Sequence, residues 1–140
     1  GELIASASWD NTVKLWRTSD GEELSTLEGH FDKVYDASFS PDGELIASAS
    51  WDNTVKLWSR DGKLLQTLEG HKGPVISVSF SPDGQLIATA SGDGTVILWD
   101  VWDVNDLMKL NCQWVRDYLR NSRDVEDSDR GLCDGFDVGE

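Results

Sequence analysis

No stretch of the chain approaches the roughly 18 consecutive apolar residues that a membrane-crossing helix needs, and no basic-then-apolar leader precedes the first patterned segment. Those two absences predict a soluble, cytoplasmic protein with no membrane partner. Positive charge is scarce as well: 12 Lys and Arg stand against 26 Asp and Glu, for a formal net charge of -14. Such a field repels phosphate backbones and anionic surfaces at long range, which argues against nucleic acid as a partner. Cysteine is limited to Cys112 and Cys133. They match no metal-ligand spacing, and without a secretory signal they are expected as free thiols rather than a disulfide. Neither a phosphate-binding GxxxxGK[ST] nor a nucleophile elbow GxSxG occurs anywhere. No catalytic residue, metal or cofactor is therefore expected.

What is present is repetition. An apolar fraction of 39% with seven tryptophans can build a core, and the segment SASWDNTVKLW occurs unchanged at Ser6 to Trp16 and at Ser48 to Trp58. The longer unit begins at Gly1 and Gly43 as GELIASASWDNTVKLW and at Gly84 as GQLIATASGDGTVILW, giving periods of 42 and 41 residues. Within each unit the pattern is that of strands. ELIASAS, TVKLW, VYDASF and VISVSF alternate apolar with polar or small residues at period two. Between them stand turn signals, SPDG at Ser40 and Ser81 and WDN or GDG further on, where proline presets φ and glycine accepts positive φ. The full unit predicts four antiparallel strands: a (Val34 to Phe39), b (Leu45 to Ser50), c (Thr54 to Trp58) and d (Lys63 to Leu68). No helical period appears before residue 100.

A period of about 40 to 45 residues is that of propeller blades, and the motifs agree. EGH at Glu28 and Glu69, FSPDG at Phe39 and Phe80, and DNTVKLW or DGTVILW at Asp10, Asp52 and Asp93 make residues 1 to 100 resemble WD40 repeats. The departures are LWR at Trp16 and LWS at Trp58, where the nominal aspartate is missing; LWD at Trp99 keeps it. The resemblance implies an all-β fold of β-propeller blades. It also implies a structural hydrogen-bond network of His30, Asp52, Ser48 and Trp58 in one blade and His71, Asp93, Thr89 and Trp99 in the next. Ser48 rather than Ser50 is assigned: it shares its face with Ile46, and threonine replaces it conservatively at Thr89. A histidine, aspartate and serine could also suggest a hydrolase triad, but the histidines precede strand a in a repeated unit and no nucleophile elbow occurs, which favours the structural role.

A lone blade has two apolar faces and cannot bury both, so neighbours must stack on it. Closed propellers carry typically 4 to 8 blades, whereas residues 1 to 100 supply about 2.5 at about 40 residues each. The first unit begins at strand b and the last stops at c. The chain starts at Gly1 in mid-unit without a methionine, and is expected to be a fragment whose remaining blades lie in a parent chain. Self-assembly with other copies, or an engineered repeat, is the alternative. DVWDV at Asp100 is then a makeshift d strand.

After Trp99 the texture changes, and residues 101 to 140 form a second segment. Leu107, Leu110, Trp114 and Tyr118 recur at helical spacing, with Met108, Val115 and Leu119 widening the stripe and Asn105 or Asp106 as cap. A short amphipathic α-helix is predicted, followed by an acidic, glycine-rich end. It packs on the last blade or docks elsewhere. CQWVRDYLRN with SDRGLCDG resembles the segment that follows WD40 arrays in cyanobacterial-type signalling proteins with an N-terminal STAND-type NTPase. That resemblance implies the C-terminal end of a sensor region, with any nucleotide chemistry upstream.

Function then falls to the loop-bearing face, where d-a and b-c turns emerge. Trp9 and Trp51 precede the turn aspartates, and Tyr35, Lys33 and Ile76 stand at the start of strand a, nearer the central channel. Exposed aromatics there make interface anchors; alternatively each tryptophan packs on the neighbouring blade. Gly92 replaces tryptophan in the third unit. The expected function is a non-catalytic protein-interaction scaffold.

Overall fold

Alternating apolar and small residues pair into ten antiparallel strands, separated by turns at the SPDG, DN and DG signals. A computed structural model describes residues 2–101, and there the chain is all-β, in three sheets. The first runs β1 (Leu3–Ala7), β2 (Val13–Arg17), β3 (Glu23–Leu27). The second, with four strands, runs β4 (Val34–Phe39), β5 (Leu45–Ser50), β6 (Val55–Ser59), β7 (Leu64–Leu68). The third runs β8 (Val75–Phe80), β9 (Leu86–Ser91), β10 (Val96–Asp100).

Register decides which face each side chain serves. Ala47 pairs with Leu57 and Ala49 with Val55, while Ile46 pairs with Trp58 and Ser48 with Lys56. The period of two sends these sets to opposite faces. Ala47, Ala49, Val55, Leu57 and Leu68 pack with Val75, Val78 and Ile87 of the third sheet. Ile46, Trp58 and Val34 pack with Val13, Leu15 and Leu27 of the first. The middle sheet is thus covered on both faces. Burying one such Val, Leu or Ile is worth about 1.5–3 kcal/mol, so these two layers supply most of the apolar stabilisation. Asp36 adds a polar tie between sheets: its Oδ2 accepts from Val78 N–H and Ser77 Oγ, each at 3.0 Å.

Strands a and b fall on β4 and β5 as the sequence predicts, whereas c and d start one residue later. Thr54 is held in the turn, its N–H donating to Asp52 Oδ1 at 2.9 Å and its carbonyl accepting from Ser50 N–H. Lys63 N–H is likewise taken by the Ser59 hydroxyl. The turn between b and c needs a left-handed residue, and Asn11 (φ 75), Asn53 (φ 71) and Gly94 (φ 84) occupy it. Asparagine tolerates that region and glycine is free there.

Asp100 ends β10 opposite Leu86, and Val101 N–H donates to Gln85 O at 2.8 Å. The rest of the DVWDV segment, the predicted C-terminal helix, Cys112 and Cys133 lie outside the described residues.

Candidate functional site

Two groups of side chains concentrate polar or aromatic chemistry at the end of the sheets where the b-c turns emerge. The first is buried. His30 Nδ1 lies 2.8 Å from Asp52 Oδ2, His30 Nε2 lies 2.7 Å from Ser48 Oγ, and Trp58 Nε1 donates to Ser48 Oγ at 2.8 Å. Proton placement follows from chemistry. An indole only donates, so Ser48 accepts from Trp58 and gives its own proton to Nε2, leaving Nδ1–H to donate to the carboxylate. The third sheet repeats the order with His71, Asp93, Thr89 and Trp99 at 3.1, 2.7 and 2.8 Å. In the first sheet Trp16 Nε1 donates to Ser6 Oγ at 2.8 Å, and no histidine joins them among the described residues.

Burial would raise the Asp52 carboxyl, yet the bonds from His30, the Thr54 hydroxyl and Phe31 N–H outweigh it and hold Asp52 well below the usual carboxylate range. Asp93 is lowered too, by the Thr95 hydroxyl first, then by Lys72 and Thr95 N–H groups and His71, against a smaller opposing effect of burial.

The links Asp52, His30, Ser48 follow the connectivity of a hydrolase triad. Access differs, because Ser48 is fully buried and its oxygen is already capped by the Trp58 indole. An acyl substrate has no route to it in this conformation. One partner of this cluster carries no chemistry: a Cβ on Gly29 would stand 3.1 Å from Trp58 Cη2, and on Gly70 3.0 Å from Trp99 Cη2. The glycine of EGH is the space the indole occupies.

The second group is open to solvent. Trp9 is 67% exposed and Trp51 46%. Tyr35 connects them, with ring centroids 6.0 Å from Trp9 and 5.5 Å from Trp51, the latter pair stacked at 28°. Lys33 Nζ lies 5.0 Å from the Trp9 ring centroid and 5.8 Å from that of Trp51. Backbone geometry fixes the arrangement, since Trp51 N–H donates to Lys33 O at 2.8 Å and a bulge between Val34 and Asp36 shifts the β4–β5 register. Trp9, Lys33, Tyr35 and Trp51 therefore form one cluster across two sheets. Ile76, the counterpart of Tyr35, is 49% exposed, and a Cβ on Gly92 would stand 3.9 Å from its Cδ1. Phe31, 89% exposed, has its N–H bound to Asp52 Oδ2 and so emerges at the same end. Its signal in the sequence is the aromatic directly after EGH. No three His, Cys, Asp or Glu side chains gather as metal ligands among the described residues.

Similarity to known proteins is carried by the same repeats. The family model for the WD domain, G-beta repeat, matches residues 1–17, 21–59 and 62–100. The chain is 50% identical over 40 residues to "Dynein assembly factor with WD repeat domains 1" of Homo sapiens, covering 29% of this chain and 10% of that protein. It is equally identical over 40 residues to "WD40 repeat-containing protein HOS15" of Arabidopsis thaliana, covering 29% and 6%. To the "Peroxisomal targeting signal 2 receptor" of Homo sapiens it is 45% identical over 40 residues, covering 29% and 12%. The matched stretch spans about a tenth of the length of these curated relatives.

Proposed function

The chain belongs to the WD domain, G-beta repeat family, and from that premise we propose that it is a non-catalytic scaffold that docks a protein partner on the face carrying Trp9, Lys33, Tyr35 and Trp51. One observation carries the reading: two tryptophans, a tyrosine and a lysine from two sheets converge while both tryptophans remain exposed, Trp9 by 67% and Trp51 by 46%. Exposed aromatics of this kind, on a rigid support, are the anchors of interfaces. Two relatives, named as a dynein assembly factor and a peroxisomal targeting signal receptor, fit binding roles. Ile76 and Phe31 extend the face. His30, Asp52, Ser48 and Trp58, with their third-sheet counterparts, serve it indirectly by fixing the turns from which the aromatics project.

The wider setting we infer is a longer signalling protein, with further blades and a STAND-type NTPase upstream of Gly1; the coding sequence there tests it directly. A second reading, self-assembly, draws on exposed Ile4 on one flanking sheet and Val96 and Leu98 on the other. Solution mass separates the two, a discrete oligomer with one sharp melting transition favouring assembly. For the docking face the test is Trp51→Gly, which copies the third unit. Lost partner binding with an unchanged melting transition supports it; a collapsed transition shows instead that Trp51 is packing.

A further inference from the structure

Lys33 differs from the other shielded lysines. Lys14 Nζ pairs with Glu23 at 2.8 Å, and the buried Lys56 donates to Thr67 Oγ1 at 2.9 Å. Lys33 is half-buried, yet among the described residues no carboxylate lies within ion-pair distance of its ammonium. That is notable in a chain with 26 acidic residues. The carboxylates of the same turns bond to other groups. Asp32 Oδ1 accepts from Lys33's own backbone N–H, Asp10 Oδ1 from Thr12, and Asp52 from His30, Phe31 and Thr54. The ammonium instead lies against two indole faces. Such faces attract a cation without using up its N–H donors.

We propose that Lys33, held between Trp9 and Trp51, anchors an acidic side chain of a partner protein segment, whose apolar or aromatic neighbour lies on the two indoles. The proposal rests on the docking face above and names the chemistry that face selects. Apolar walls strengthen an ion pair relative to open water, and an ammonium with free donors forms charge-assisted bonds to carboxylate. The chain's overall negative charge acts over longer distances, which salt screens beyond about 8 Å at physiological ionic strength. A side-chain carboxylate is the source, rather than a chain terminus. Capture of a terminal carboxylate uses clustered backbone N–H groups, and here those of Phe31, Lys33, Trp51, Asp52 and Asn53 are all bonded internally.

Three capped dipeptides test it against the full chain: acetyl-Phe-Glu-amide, acetyl-Phe-Gln-amide and acetyl-Phe-Lys-amide, read by the indole N–H resonances of Trp9 and Trp51. The glutamate peptide is expected to shift both saturably and to bind about fivefold more tightly than the glutamine peptide. Lys33→Gln removes that preference and Lys33→Arg retains it, while the bonded Trp58 indole N–H reports that each variant is folded. Should Lys33→Gln lose the Trp58 signal, the wild-type contrast and Lys33→Arg decide. Equal binding of the glutamate and glutamine peptides, or preference for the lysine peptide, overturns the acidic class and leaves the docking face standing. Indoles that respond to none of the three overturn both.

Discussion

Trp58 and Trp16 end the same segment, SASWDNTVKLW, yet meet different surroundings. Trp58 is 1% exposed and lies between the middle sheet and the first, its indole linked through Ser48 to His30 and Asp52. Trp16 is half-buried and bonded to Ser6 alone. Ile46 and Ile4 show the same contrast, one fully buried and the other exposed. Identical local sequence gives an identical hairpin, with Ile4 paired to Trp16 as Ile46 is to Trp58. What the hairpin is worth depends on its neighbours. In a repeat architecture, stability is a sum of unit and interface contributions. The middle sheet has two interfaces; each flanking sheet has one among the described residues.

Matched substitutions break this comparison most strongly at the indoles. Trp58→Ala is expected to cost about 3–5 kcal/mol and Trp16→Ala less than half of that, both read by urea denaturation. Equal costs would mean that the second interface contributes nothing. At the serine beneath, the expected gap is smaller. Ser48→Ala strips a buried partner from both His30 and Trp58, for about 1–3 kcal/mol, while Ser6→Ala leaves a half-exposed indole that water can satisfy and costs under about 1 kcal/mol.

Acid sharpens the same contrast. Asp52 and Asp93 are both held below the ordinary carboxylate value. A depressed carboxyl contributes stability that is complete above its unfolded value of about 4 and disappears as pH falls below that through the folded-state value. The denaturation midpoint should therefore decline on acidification from about pH 4 downward. Asp52→Asn flattens this limb, whereas Asp10→Asn, in the first sheet where no histidine joins the turn, leaves most of it in place. A small effect is also expected at Asp36. Asp36→Ala removes its two bonds to the third sheet, costs about 1 kcal/mol, and loosens β8 more than β1 in local exchange rates.

Much of the fold was legible because period two and the turn residues act locally. The repeat length added what local pattern lacks, namely that each unit needs a neighbour. Strand edges at Thr54 and Lys63 shifted by one residue because side-chain bonds from Asp52 and Ser59 compete with the ladder, and spacing does not register such competition. The site was less legible. Position within the unit pointed to Trp9, Trp51, Tyr35, Lys33 and Ile76, but the side-chain directions that carry Lys33 over two indoles depend on the bulge at the start of β4. The exposure of Phe31 and the space at Gly29 and Gly70 were not legible for a similar reason: exposure and close approach are properties of the assembled sheets.

Native-state hydrogen exchange, resolved by strand, tests the central claim most directly. Amides of β5 and β6, covered on both faces, should exchange slowest, and those of β1, β2, β9 and β10 at least about tenfold faster, a difference of about 1.4 kcal/mol. Uniform protection across the three sheets, or slower exchange in a flanking one, would contradict the account.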